Sequence, residues 1–183
     1  MISHPQLQLL KFIPIIFIVS QLVFMLIGLF AGPVVTAVSL DETQLQILPP
    51  AIGTVALMMT FAIPIARKAM MGKFCLPFIN EGNSGRVSDD FDHSDPDNIQ
   101  AAQQELNKTV PKYFTGTLIG LAFSEAICIT GLALSQITGQ PILVLPFFAW
   151  SLLCTLVQWP NDNAINSLLS PTSKAIIKHH RAP

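Results

Sequence analysis

Apolar residues run in four long blocks along the chain, each bounded by polar stretches: 12–31 (FIPIIFIVSQLVFMLIGLFA), 47–66 (ILPPAIGTVALMMTFAIPIA), 114–135 (FTGTLIGLAFSEAICITGLALS) and 142–159 (ILVLPFFAWSLLCTLVQW). A membrane-crossing helix needs about 20 mostly apolar residues, and all four blocks meet or approach that length. Lipid offers no hydrogen-bond partners, so a crossing segment must satisfy its own backbone, and helix is the expected form despite many Phe and β-branched residues. The blocks do not alternate apolar with polar, as barrel strands would. The pattern predicts an all-α membrane protein: four transmembrane helices in two antiparallel hairpins. Pro49 and Pro50 are expected in the first turn of the second span, where missing N–H groups cost little, with Pro14 similarly placed in the first. Pro64 and Pro146 predict local kinks, which a bundle tolerates.

Composition sharpens this picture. Of 183 residues 51% are hydrophobic and 11% charged, and the mean hydropathy is +0.54. A soluble domain carries about 25% charged residues. The formal net charge of −1 excludes a protein that holds nucleic acid by neutralising phosphates. The first apolar run is 20 residues, longer than the roughly 7–15 of a signal-peptide core, so a retained first span is expected. Cys75, Cys128 and Cys154 fit no zinc or CxxC spacing; two fall in apolar runs, where cysteine packs as a small hydrophobe.

The basic residues set the orientation. Lys11 precedes the first span; Arg67, Lys68, Lys73, Arg86, Lys108 and Lys112 lie between the second and third; Lys174, Lys178 and Arg181 follow the fourth. Segments 32–46 and 136–141 have none. By the positive-inside rule both termini and the central segment 67–113 are expected in the cytoplasm, with Trp159 as an interfacial anchor.

Within 67–113, Arg67, Lys68 and Lys73 can meet anionic headgroups. The stretch 81–98 (EGNSGRVSDDFDHSDPDN) is too polar to bury a core and reads as a flexible acidic loop. Asp89, Asp90, Asp92, Asp95 and Asp97 with His93 lack the spacing, glycine and closing Glu of an EF-hand, so solvation is preferred over metal binding. Asp97 or Asn98 is expected to cap a short surface helix over 98–108, ending before Pro111 opens the third span. Segment 160–183 reads as a cytoplasmic tail. Its adjacent His179 and His180 point in different directions on a helix and make poor joint ligands.

One residue calls for chemistry. Glu125 lies near the midpoint of the third span, where an ionisable group costs about 2.5–3.5 kcal/mol to insert. Such residues face the bundle interior or a water-filled cavity. Ser20 and Gln21 lie at a similar depth in the first span, Trp150 and Ser151 in the fourth, and Thr54 and Thr60 flank the middle of the second. Glu125, Gln21, Ser20 and Ser151 are therefore the candidate ion- or proton-binding residues, with a protonated Glu125 bonded to Gln21 as the expected local arrangement. No second acid and no base lies within a span, and there is no HExxH, GxSxG or haem-type His cluster. No catalytic residue, metal ligand or cofactor is expected. Gly116, Gly120, Ser124 and Cys128 recur every fourth position, a helix-packing seam that lets another backbone approach closely, from this chain or from another subunit.

Two resemblances bear on function. The string LAFSEAICITGLALS (121–135) resembles the carboxylate helix of rotary ATPase proteolipid subunits, in which an acidic residue followed by Ala carries the ion; Glu125 and Ala126 match that core. In those proteins the acid stands on the second helix of its hairpin, and here it stands on the first. The layout as a whole, with PKYFTGTLIGLAFSEA (111–126) and WPNDNAINSLL (159–169), is similar to small uncharacterised bacterial tetraspan proteins. That resemblance implies a multi-pass protein of the bacterial inner membrane and carries no known activity. The leading expectation is a non-enzymatic structural or accessory subunit with Glu125 as an intramembrane hydrogen-bond anchor. The alternative is a proteolipid-like proton- or cation-translocating component. The expected partners are the lipid bilayer and either further copies of the chain or other membrane subunits.

Overall fold

The computed structural model describes residues 5–31, 41–71, 95–160, 168–173 and 175–176. Among these residues the fold is entirely helical. Helix α1 spans Pro5–Phe30, α2 Glu42–Met71 and α3 Pro96–Thr138; a 3-10 turn over Pro141–Leu143 leads into α4, Val144–Val157. Three helices carry segments long and apolar enough to cross a membrane, Leu9–Phe30, Gln46–Met71 and part of Pro96–Thr138, whereas Pro141–Val157 is a shorter apolar helix.

Helix α3 is the spine. It touches α1, α2 and α4; α1 and α4 also pack on each other, while α2 leans mainly on α3. Its buried positions include Ala102, Leu106, Val110, Tyr113, Thr117, Gly120, Ser124, Ile127, Gly131 and Leu134. They recur every three or four residues, the spacing of one face of a 3.6-residue helix. The stripe runs unbroken past Pro111, which lies inside the helix with its ring exposed. The short helix expected over 98–108 is thus the opening of one 43-residue α3, about 65 Å long. A proline in a helix interior loses one hydrogen bond and costs about 3 kcal/mol; contacts on both sides of Pro111 outweigh it.

The caps also differ from expectation. Asp95 is the N-cap of α3, with extended backbone and Pro96 at the first helical position. Its Oδ1 accepts from the Asp97 N–H at 3.1 Å. Proline at this position lacks only an N–H that would have no partner anyway and brings the right φ, so Asp97 lies inside the first turn. At the other end Gly139 takes φ +66°, the left-handed cap that closes a helix without a Cβ penalty. The chain then turns back immediately, making α3 and α4 antiparallel neighbours. Pro49 and Pro50 fall inside α2 rather than in its first turn, because the helix begins at Glu42.

The opening of α3 is covered by the C-terminal segment. Leu169 packs with Leu106 and Val110, and Leu168 joins Leu10, Tyr113, Met71 and Phe114. Glu105 fastens this contact. Its Oε1 accepts from the Ser170 N–H and its Oε2 from the Ser170 hydroxyl, each at 2.7 Å, and the Ser173 hydroxyl donates to Oε2 as well. The tail over 168–176 is therefore docked where it is described. Arg67, expected among headgroup-facing cations, is turned inward and buried, whereas Lys68 is exposed. Residues 72–94, with Lys73, Cys75, Arg86 and most of the acidic stretch, and 177–183, with His179 and His180, lie outside the described residues.

The outer surface is apolar. Phe12, Ile16, Val19 and Phe30 of α1, Met58, Phe61 and Ile65 of α2, Ile142 of the 3-10 turn, and Leu153 and Leu156 of α4 are all exposed. The interior holds polar side chains: Gln21, Thr117, Ser124, Ser151 and Thr155 are each 0% exposed. This inverts the distribution of a water-soluble protein.

Candidate functional site: a polar junction of three helices

The buried polar groups meet where α1, α3 and α4 come together. Ser20 of α1 donates its hydroxyl to Oε1 of Glu125 on α3. The next residue, Gln21, is turned about 100° further round α1 and points at α4 instead, donating from Nε2 to Thr155 Oγ1 at 2.9 Å. Cys128, one turn beyond Glu125, donates its thiol to the Gln21 carbonyl at 3.6 Å. The expected Glu125–Gln21 bond is thus replaced by Glu125–Ser20 and Gln21–Thr155. The physical reason is angular: adjacent helix positions at one depth face different neighbours.

The α3–α4 side is equally paired. Ser151 donates to the Ser124 carbonyl at 2.6 Å. Gln158 donates from Nε2 to Ser124 Oγ at 2.8 Å and to the Cys154 carbonyl at 2.9 Å. Ser124 returns its hydroxyl to the Gly120 carbonyl of its own helix at 3.2 Å. Ser20, Gln21, Glu125 and Ser151 are thereby brought into one junction. Thr60 and Trp150 form a separate α2–α4 link, indole N–H to hydroxyl at 2.8 Å, while Thr54 bonds only its own helix, at the Pro50 carbonyl.

The small residues of α3 are filled from within the chain. A Cβ on Gly116 would lie 2.6 Å from Met71 Cε, one on Gly120 1.7 Å from Gln158 Oε1, and one on Gly131 2.4 Å from Phe147 Cβ. Ser124 and Cys128 are fully buried. The stripe winds round α3 and seats α2 at Gly116 and α4 at Gly120 and Ser124; Cys128 meets α1.

Two members of the junction, Thr155 and Gln158, were not singled out by depth alone. Their signal is the spacing 151, 155, 158, which puts three polar groups on one helical face of an otherwise apolar segment. Among the described residues, Gln21 Oε1, Gln158 Oε1 and Thr117 Oγ1 are buried oxygens with no hydrogen-bond partner.

Chemically the junction holds one carboxyl, one thiol, hydroxyls and amides. Glu125 is half-buried, and among the described residues only its Oε1 is hydrogen-bonded. This set can exchange hydrogen bonds or hold a proton at Glu125. Its thiol, Cys128, donates to the Gln21 carbonyl and is not hydrogen-bonded to a base that would activate it. No group of three or more His, Cys, Asp or Glu that could hold a metal occurs among the described residues. No protein-family model, curated protein or solved structure matches the chain.

Proposed function

We propose that the chain is a multi-pass protein of the bacterial inner membrane, a four-helix structural or accessory subunit whose span-to-span contacts are polar. The crossing segments are α1, α2, the apolar half of α3, and the 3-10 turn with α4. That last segment is 17 residues, about 27 Å long, close to the hydrocarbon thickness of about 30 Å. The ten Lys and Arg residues support both termini and the central segment in the cytoplasm. The single observation that carries the reading is the Ser20–Glu125 hydrogen bond, which ties α1 to the spine at the one acidic residue of the four apolar blocks. Lipid tails are as apolar as leucine, so they provide no hydrophobic drive between helices, and bonds of this kind contribute about 0.6–1.7 kcal/mol each.

An anchor needs only an acceptor oxygen. Glu125→Gln keeps an oxygen for the Ser20 hydroxyl, so it should leave folding, assembly and host growth unchanged. A Gln variant that folds normally while a proton or cation flux disappears would overturn the anchor and establish the ion-carrying alternative. The observation favouring that alternative is the half-buried Glu125 carboxyl, hydrogen-bonded at Oε1 alone among the described residues. A hydrophobic carbodiimide reads it: a carrier carboxyl labels at acidic pH and loses labelling as pH rises, and folded protein that does not label at acidic pH would count against the carrier.

A further inference from the structure

Between α2 and α4 lies a crevice of about 180 Å³, lined by Gly53, Ala56 and Leu57 on one side and Pro146, Phe147 and Trp150 on the other. Its lining is apolar but for the Trp150 indole N–H, and that group is already committed to Thr60; the Thr60 hydroxyl in turn donates to the Ala56 carbonyl at 2.9 Å. No donor or acceptor remains for a polar ligand, which would be desolvated without compensation. Gly53 deepens the slot, since a Cβ there would meet nothing within 4 Å. The rim, with Leu57 and Trp150 half exposed, runs straight into the belt formed by Val55, Met58, Leu145 and Leu153. Whatever covers that belt also reaches the crevice.

We propose that this crevice is a lipid site, taking one acyl chain of the surrounding bilayer as the filler between α2 and α4. The inference rests on the membrane reading above. The chain completes a contact the protein leaves open: α2 leans mainly on α3 and reaches α4 through Thr60–Trp150 and the walls of the slot. The lining runs from the middle of α2 (Ala56, Leu57) and of α4 (Trp150) toward the ends nearer Glu42 and Pro141, where Gly53 and Pro146 lie. Under the proposed topology both face the outer leaflet, so the chain comes from an outer-leaflet lipid.

The test uses the full chain in vesicles containing a phosphatidylcholine with a diazirine part-way along one acyl chain. After irradiation, adducts should concentrate at 53–57 and 146–150 over equally exposed positions such as Ile16 and Val19. Gly53→Leu projects into open space; it should lower the crevice adducts severalfold and leave those on α1 unchanged. Adducts spread evenly over the belt, or unaffected by Gly53→Leu in a protein with an unchanged unfolding midpoint, would overturn the site. So would a disulfide-linked dimer formed through Leu57→Cys, which would make a second copy the occupant. Release of the chain from membranes by alkaline carbonate would instead defeat the membrane reading; retention with even labelling defeats only the lipid site.

Discussion

Gly120 and Gln158 form the tightest fit in the bundle and invite a quantitative test. A methyl group at residue 120 would sit 1.7 Å from Gln158 Oε1 and 2.8 Å from its Cδ. Gln158 is 2% exposed, and its Nε2 is held by Ser124 Oγ and the Cys154 carbonyl. Gly120→Ala must therefore swing the amide away and break at least the bond to Ser124. Interhelical bonds of this type contribute about 0.6–1.7 kcal/mol, and stranding a buried amide adds about 1–3 kcal/mol. Alanine's helix propensity offsets about 1 kcal/mol, leaving a net loss of about 1–4 kcal/mol. Gln158→Ala removes the obstacle. In that background Gly120→Ala should be neutral, or stabilising by up to about 1 kcal/mol. The four proteins of the cycle can be compared by SDS titration from mixed micelles, followed through the fluorescence of Trp150 and Trp159, which lie within and just beyond α4. Coupling in the range of about 0.5–3 kcal/mol is the signature of direct contact. Additivity within about 0.5 kcal/mol would refute the seating of Gln158 on Gly120.

The other glycines should rank by what faces them. Gly131→Ala meets Phe147 Cβ at 2.4 Å and Cγ at 2.8 Å, atoms too near the backbone to swing aside, so the same titration should show a loss of about 3 kcal/mol. Gly53→Ala meets nothing and should be neutral or stabilising by up to about 1 kcal/mol; equal losses at the two positions would contradict the packing. Glu105→Ala removes the acceptor of three hydrogen bonds from Ser170 and Ser173. Bonds to a charged group contribute about 1.5–3 kcal/mol, so trypsin should cut the tail at Lys174 and Lys178 severalfold faster; an unchanged rate would contradict the clasp.

The four apolar blocks announced four helical segments because a long apolar run with at most one ionisable residue has few alternatives to helix. Depth along the spans likewise brought Ser20, Gln21, Glu125 and Ser151 to one level. Depth says nothing about azimuth, however, and the pairing within the junction followed azimuth: Ser20, not Gln21, faces Glu125. The ends of helices were harder to read where two local signals competed. Asp95–Pro96 is a strong start signal, yet Asp97 and Asn98 offered equally plausible caps. Pro111 suggested a boundary, and only the buried stripe from Ala102 to Leu134, a tertiary fact, carries the helix through it. Glu105 lies beside that stripe, but its partners are 65 and 68 residues away, and no local pattern links them. Arg67 shows the same limit: a cation at a helix end reads as headgroup-facing, and here the packing of α2 turns it inward.

The central claim is that α3 and α4 cross the membrane in opposite directions, with the 139–140 turn outside and the clasped tail inside. Cysteine accessibility in intact cells tests it directly. Gln140→Cys and Thr172→Cys place reporters at exposed positions on either side of α4, in a background lacking Cys75, Cys128 and Cys154. A membrane-impermeant maleimide should label residue 140 in intact cells and residue 172 only after permeabilisation. Labelling of both from the same side would mean that the short helix α4 does not cross, and would contradict the four-span bundle.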